Sequence, residues 1–479
     1  MRLLMLAALA AAPAVLGAQS RPLARADSAL VGRILLAEDR RDSTDASIGE
    51  GQRHADARLR TIAVRARGRI RDATFAGRDS LPALAAPTAW PEAAWRLRFR
   101  ALASQRSDCS ALRAALADSA WAVRLRAADL IAAPCSADEG MATTLRGWVD
   151  GLKADAGSRS AGNVSWHAAA HAIGALARAW PSDAGSRMGA LATHRQWQVR
   201  VYAARAAAIL SDTGRLRTLA RDSDDNVKEA AIDALAKLTL HADDDLFLAA
   251  LNAPGAQAVR AAAIALKGSP RTGIIPAANA AFDRWVAKGN ASSRDARVAL
   301  LALAGRPVTE DRPPARRAEL PTRTVALALG ADVRLRVTLS DASGGGSFVV
   351  RLRGDVAPMM AGRILDLARD HYYDGLTWHR VEPDFVIQGG SPGATEYIGY
   401  AQFLRDELGT VPHTRGTLGM STRGHDTGDA QWFVNLRDNL RLGKDYTVFA
   451  EVVDGIGVVD GILEGDAISS IVEVRTPAR

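Results

Sequence analysis

Two rhythms of apolar and polar positions divide the chain. Between about residues 90 and 305 a short phrase keeps returning, in which an apolar residue precedes Arg or Lys and an alanine-rich run with helical spacing follows. It reads Trp95-Arg96-Leu97-Arg98, Val123-Arg124-Leu125-Arg126, Val199-Arg200-Val201-Tyr202, Val227-Lys228-Glu229-Ala230 and Val259-Arg260-Ala261-Ala262. The spacings from 95 to 123, 199 to 227 and 227 to 259 are 28, 28 and 32 residues, with weaker copies near Trp166 and Ala296. A period of this size predicts stacked helical pairs. Ile232, Leu235 and Leu238 fall three apart on one predicted face, Asp224-Asp225-Asn226 stand before it as an N-cap cluster, and Gly214, Gly255 and Pro270 punctuate the runs. Residues 19–89 are also helical in pattern, with Leu30, Ile34 and Leu35 on one side, and are expected to cap the array.

Past a proline-rich, charged stretch at 306–322, expected to be a semi-extended linker, the rhythm shortens to two. Val333, Leu335, Val337 and Leu339 alternate with Arg334, Arg336 and Thr338, and a Gly344-Gly345-Gly346 turn leads into Phe348-Val349-Val350-Arg351-Leu352. This predicts antiparallel strands. The clearest helix signal runs from Ala361 to His371, after Pro358, so residues 323–479 are expected to form a β-barrel capped by a helix.

Composition sharpens this division. The 479 residues are 48% hydrophobic but only 5% aromatic, which excludes a disordered chain and leaves much of the core to alanine, as between closely packed helices. The formal net charge of +8 conceals +13 on residues 1–322 and −5 on residues 323–479. Arginine supplies 55 of the 61 basic residues, a skew that a codon habit also produces, so the charge does not argue for a nucleic-acid partner. Residues 1–18 carry one positive charge, a short apolar run and small residues before Gln19-Ser20, the layout of a cleaved export signal. An exported protein, periplasmic or secreted and not membrane-spanning, is expected. In an oxidising compartment Cys109 and Cys135 either pair or stay apart, and a two-cysteine metal site lacks a histidine close in sequence. His167 and His171 have the spacing of two metal ligands, yet Ala168 stands where a zinc protease carries its glutamate and no third ligand is apparent. They read as helix-surface or packing histidines, and the repeated arginines as ties to acidic turns. No metal or cofactor is expected.

Residues 90–305 resemble HEAT repeats, in particular the short bacterial kind whose second helix opens with an acidic turn and Val-Arg. The resemblance implies an α-solenoid with a protein partner on its surface.

A second resemblance carries named chemistry. The run Tyr372-Tyr373-Asp374-Gly375-Leu376-Thr377-Trp378-His379-Arg380-Val381, continuing through Pro383-Asp384-Phe385-Val386-Ile387-Gln388-Gly389-Gly390, closely resembles the central motif of the cyclophilins. So do Arg415 to Ser421, Gln431 to Leu436 and Asp445 to Val452, in the family's order. The resemblance implies a peptidyl-prolyl cis–trans isomerase on an eight-stranded antiparallel barrel with capping helices. It assigns catalysis to Arg380, Phe385, Gln388 and Phe433, and substrate binding to His379, Val386, Ser421, Thr422, Gln431, Leu440, Leu442 and Tyr446. In this picture Arg380 bonds toward the prolyl nitrogen, Gln388 orients Arg380 or binds substrate backbone, and Phe385, Val386, Phe433 and Leu442 hold the proline. Gln431, Ser421 and Thr422 pair with the peptide backbone. The chain departs from the family at Ser391–Tyr400, bulky where glycines are usual, at Ser421-Thr422-Arg423, at Leu440 in place of a frequent tryptophan and at Tyr446 in place of a frequent histidine. The clients implied are proline-containing polypeptides, folded with the enzyme's help. The alternative is a scaffold that holds proline segments without turnover.

Overall fold

The computed structural model describes residues 23–72, 84–152, 166–308 and 317–474. The expected export signal at 1–18 lies outside the described residues, as do residues 309–316 of the expected linker.

Three N-terminal helices, α1 (Arg25–Arg40), α2 (Ala46–Gln52) and α3 (Ala57–Arg71), come first. The array then alternates two layers. One contains α4 (Trp95–Ser104), α6 (Trp121–Leu130), α8 (Trp166–Ala179), α10 (Trp197–Ile209), α12 (Asp225–Thr239), α14 (Ala256–Ala265) and α16 (Arg294–Leu303), each packed on the next. The other contains α5 (Cys109–Ala115), α7 (Glu139–Asp150), α9 (Pro181–Ala192), α11 (Thr213–Leu219), α13 (Asp244–Ala250) and α15 (Ile274–Ala287). Alanine makes the stacking close: Ala168, Ala170, Ala172 and Ala175 of α8 and Ala203, Ala204, Ala206 and Ala207 of α10 are all fully buried.

Aspartates open the helices as the sequence suggests. Asp224 accepts from the Asn226 N–H, Asp138 from Met141 and Asp108 from Ser110 and Ala111, satisfying donors that have no partner inside the helix. The predicted stripe on α12 holds only in part. Ile232 and Leu235 are fully buried, but Leu238 is 40% exposed. Six residues of helix rotate it about 120° from Ile232, off the core face.

The repeated arginines mostly tie helices to acidic turns, Arg200 to Asp222 at 2.8 Å and Arg98 to Asp118 at 2.7 Å. Cys109 and Cys135 form a disulfide, with Cα atoms 5.5 Å apart, pinning the start of α5 to the turn after α6. Among the described residues no helix is long and apolar enough to cross a membrane.

The expected N-terminal cap takes another place. Leu30, Ile34, Leu35, Leu59 and Ile62 share a core with Leu320, Val325, Ala328 and Leu329, so α1–α3 pack with the segment leading into the barrel rather than closing the stack. That segment includes the short α17 (Thr324–Ala328).

Eight strands follow: β1 (Arg334–Leu339), β2 (Ser347–Leu352), β3 (Thr377–Val381), β4 (Val386–Ser391), β5 (Thr417–Met420), β6 (Trp432–Asn435), β7 (Val448–Asp454) and β8 (Ile468–Val474). They pair antiparallel in the order β3-β4-β6-β5-β7-β2-β1-β8. A bridge between Thr377 and Ala467 joins the two edges, with the Gly375 N–H donating to the Ile468 carbonyl at 2.8 Å, so the sheet curls on itself. The Gly344-Gly345-Gly346 turn has φ of 88°, 66° and 91°, a left-handed run that glycine enters without penalty. Helix α18 (Pro358–Arg369) begins three residues before the expected start, with proline in the first turn where its missing N–H costs nothing. It covers the barrel, and the five-residue α19 (Ile456–Asp460) precedes β8.

The helices and the barrel are bonded to each other. Buried Arg69 donates to the carbonyls of Val356, Glu407 and Leu408 at 2.7, 2.8 and 2.9 Å and to Glu38 at 2.6 Å. Arg65 reaches the Asp355 carbonyl at 3.0 Å and the other Glu38 oxygen at 3.1 Å. Burial alone would raise the Glu38 carboxyl, but Arg65 and Arg69 pull it down to about 2. A carboxyl whose folded pKa is depressed contributes stability above its unfolded value of 4.5, lost as pH falls through about 2. Glu38→Gln is therefore expected to be destabilised by roughly 3 kcal/mol at pH 7, with the gap to the parent closing between pH 4.5 and 2 in denaturant unfolding; a gap constant over that window contradicts it.

Candidate active site

The hairpin of β3 and β4 carries the charged part of the site. Arg380 pairs in register with Gln388, whereas Trp378 pairs with Gly389, so β3 holds one residue more than β4 across this step. The extra residue is His379. This bulge explains why residues two apart face opposite ways: Trp378 is fully buried in the barrel core and Arg380 stands outside it. The Arg380 guanidinium is only loosely held, 3.9 Å from Glu382 with both side chains about half exposed, and lies 6.0 Å from the Phe385 ring. Arg441 approaches the same ring at 5.1 Å.

Beside Arg380 lies an apolar cluster distinct from the barrel core. Val386, Phe433 and Leu442 are buried in it, with Phe385 and Tyr446 half-buried at its edge. Phe433 comes from β6, opposite Gln388 in register, and packs edge-on to Tyr446 at 5.5 Å. Its other support is His413, stacked at 5.7 Å, which sequence reading did not single out. The His413 Nδ1 lies 3.1 Å from Asn435 Nδ2 and its Nε2 lies 2.9 Å from the Tyr446 carbonyl. Because Asn439 donates to the Asn435 oxygen at 2.8 Å, the amide nitrogen of Asn435 faces the imidazole as donor, and the ring proton sits on Nε2. Gly419 makes room beneath: a Cβ there would stand 2.2 Å from the Phe433 ring.

Gln388 is 3% exposed, and its amide nitrogen donates to Ser421 Oγ at 3.0 Å and to Gln431 Oε1 at 3.1 Å. Those protons therefore orient Ser421 and Gln431, not Arg380. Gln431 departs further from expectation. It is 1% exposed, and its amide donates to the carbonyls of Glu396 and Ile398 at 3.1 and 2.9 Å, so it braces a loop instead of meeting peptide backbone. Thr422 is half-buried after β5. Leu440 is 64% exposed and outside the apolar cluster, because it opens the turn Leu440–Lys444 that points Leu442 inward.

His379 is half-buried, but its two ring nitrogens are shut off from solvent and neither completes a hydrogen bond. Burial pushes its pKa down to about 4; the Thr377 backbone opposes that shift and the Arg380 cation adds to it. At neutral pH the ring is uncharged.

The loop 391–400, which departs from the family in sequence, docks on the helices. Asn226 of α12 donates to the Gly393 carbonyl at 3.1 Å, Arg260 of α14 stacks on Tyr397 at 3.8 Å, and Ile398 packs against the helical core. On the opposite side α4 grips the β3–β4 turn. Arg96 donates to the Pro383 carbonyl, and Arg100 to Asp384 at 3.0 Å. The helical array thus holds both ends of the hairpin region that presents Arg380.

A family model described as cyclophilin type peptidyl-prolyl cis-trans isomerase/CLD matches residues 335–476. A peptidyl-prolyl cis-trans isomerase of Helicobacter pylori is 35% identical over 131 residues, 26% of this chain and 80% of that protein. Peptidyl-prolyl cis-trans isomerase B of Bacillus subtilis is 34% identical over 129 residues, 26% of this chain and 90% of that protein. Its counterpart B in Escherichia coli is 37% identical over 128 residues, 24% and 78% respectively.

The neutral imidazole is directly measurable. In a pH titration followed by NMR, the His379 ring is expected to stay uncharged from pH 8 to 5 and to titrate near 4, with a higher midpoint in Arg380→Ala; a midpoint near 6.5 contradicts the burial.

Proposed function

We propose, from the premise that this chain belongs to the cyclophilin-type peptidyl-prolyl cis–trans isomerase family, how its own residues carry out that isomerisation and on what. Resonance makes the X-Pro bond stiff, with a barrier of about 18–20 kcal/mol. Nothing covalent is needed to lower it. A donor that engages the prolyl nitrogen as the bond twists removes the lone pair from resonance, and a fixed proline ring lets the preceding carbonyl turn alone.

The observation that carries this reading is the apolar cluster of Val386, Phe433 and Leu442, set apart from the barrel core and bordered by the loosely held Arg380. The proline ring sits against Phe433 and Leu442, where burial of its methylenes fixes it. Arg380, with its planar fork of N–H donors, donates toward the prolyl nitrogen, and the interaction strengthens only as that nitrogen becomes pyramidal. A contact made mainly in the transition state raises the rate rather than merely tightening binding. Phe385, between Arg380 and Arg441, closes the pocket's edge. Gln388 and Gln431 act as positioning residues, while Ser421, Thr422 and Tyr446 border the peptide.

The substrates are proline-containing segments of exported polypeptides in the periplasm or outside the cell, whose folding the enzyme assists, and the array of helical pairs is a HEAT-like scaffold that brings them to the barrel. The apolar leader at 1–18 and the Cys109–Cys135 disulfide support export.

Arg380→Ala in the full chain is expected to lower kcat/KM for a proline tetrapeptide by about 10²-fold, with Arg380→Lys intermediate, as read by NMR exchange between the cis and trans forms. A loss under about threefold would remove Arg380 from the mechanism. A parent chain without turnover that still binds the peptide would favour the non-catalytic scaffold.

A further inference from the structure

About half of the Arg380 side chain is covered. It borders a cavity of about 890 Å³ whose far side is helical, formed by α10, α12 and α14. It also borders a second cavity of about 280 Å³, roofed by α6, α8 and α10. The larger one is at the upper end of the size that holds a drug-like ligand, roughly 300–1,000 Å³, and is thus roomy enough for several residues of peptide. We propose that the α10–α12–α14 face is the second wall of the substrate groove, and that it takes the polypeptide flanking the isomerised bond as an extended, unfolded strand. The proposal rests on the isomerase reading of Arg380.

Three features of the cavity fit that occupant. Ile209 and Leu238 are 43% and 40% exposed, large apolar residues turned into the gap rather than into the helical core. Such residues in a walled gap are contact area for a ligand. On α12, Glu229, Asp233 and Lys237 recur every fourth residue along the same wall, giving both signs of charge to side chains that pass it. The third feature is His379. Its half-buried ring lines both cavities with no hydrogen bond completed, although a polar atom shut off from solvent nearly always has one. An extended strand carries an N–H and a carbonyl at every residue, which is the partner a neutral imidazole lacks.

The wall is held in place through the loop 391–400, by Asn226 on the Gly393 carbonyl and Arg260 on Tyr397. A strand entering between two fixed surfaces must be free of tertiary structure. A proline in a tight surface loop of a folded protein cannot bring its flanking residues in. The helical array is thereby a selector for unfolded chains, acting at the site itself.

The test uses the full chain and a fluorescent, unstructured 12-residue peptide with one central Ala-Pro. In anisotropy titrations, Ile209→Ser/Leu238→Ser is expected to bind it about 10-fold more weakly than the parent. Asp233→Lys, at a half-buried position of the same wall, serves should the first fold poorly. Equal affinity in the parent and a folded wall variant overturns the proposal. Independently of any variant, a photoreactive residue two positions from the proline is expected to crosslink to α10 or α12; crosslinks confined to barrel residues overturn it. Wall-sensitive self-association of the parent in sedimentation would instead make a second copy the occupant, and also overturn it. Failure of the isomerase reading looks different: peptide binding and crosslinking persist while cis–trans exchange shows no acceleration.

Discussion

Asp460, at the end of α19, accepts from Arg96 of α4 at 2.6 Å and from Arg415 at 2.9 and 2.7 Å. Arg96 is wholly buried by this contact. A guanidinium taken out of water is tolerated only when counter-charge and acceptors surround it, and here they come from the barrel: Asp460 and the Pro383 carbonyl. The helix cannot leave the barrel without stranding that charge. Since Pro383 lies in the turn between Arg380 and Phe385, the same contact fixes the hairpin that presents them. The two cavities beside Arg380 exist because the helical layer is fastened at this distance.

The charge asymmetry of the chain finds its use at this junction. The repeated arginines of the array read in sequence as ties to acidic turns. A second role emerges from the structure. Arg65, Arg69 and Arg96 spend their donors on barrel carbonyls and on buried carboxylates, while Arg200 and Arg98 keep to the acidic turns of the array. Traffic also runs the other way, with Arg423 of the barrel on Asp295 of α16 at 2.5 Å, while the Tyr202 hydroxyl of α10 adds a further donor to the barrel, on Glu464 at 3.0 Å. The histidines at 167 and 171 belong here too: His167 meets the Glu464 carbonyl at 2.6 Å, and His171 bonds Asp129 at 2.7 Å. His167 is a packing residue of the interface and His171 one within the array, each bonded to a partner.

What could be read from the sequence follows the range of the interaction. The period near 28 residues, the alternation from Val333 and the motif around Arg380 are local, and they gave the helical array, the antiparallel barrel and the cluster of Val386, Phe433 and Leu442. Long-range contacts were illegible. Gln431 has the chemistry to bind a peptide, but only the fold shows its amide spent on the Glu396–Ile398 loop. His413 carries no local signature, being 20 residues from Phe433 in the chain. The loop 391–400 looked like a departure from pattern because its partners, Asn226 and Arg260, lie on helices far upstream. Leu238 misled for a different reason: a three-residue spacing tracks a helix face for one step and drifts off it by the next.

The bulge at His379 bears on how this site tolerates change. Trp378 and Arg380 reach opposite sides of the sheet because one more residue is counted on β3 than on β4. Substituting residue 379 alters a side chain and leaves the count intact. Giving β4 a matching residue between Gln388 and Gly389 restores strict alternation, and then the indole and the guanidinium claim the same face. The placement of the cation is therefore written in the number of residues between two strands, a kind of information that no amino-acid identity at that position can replace.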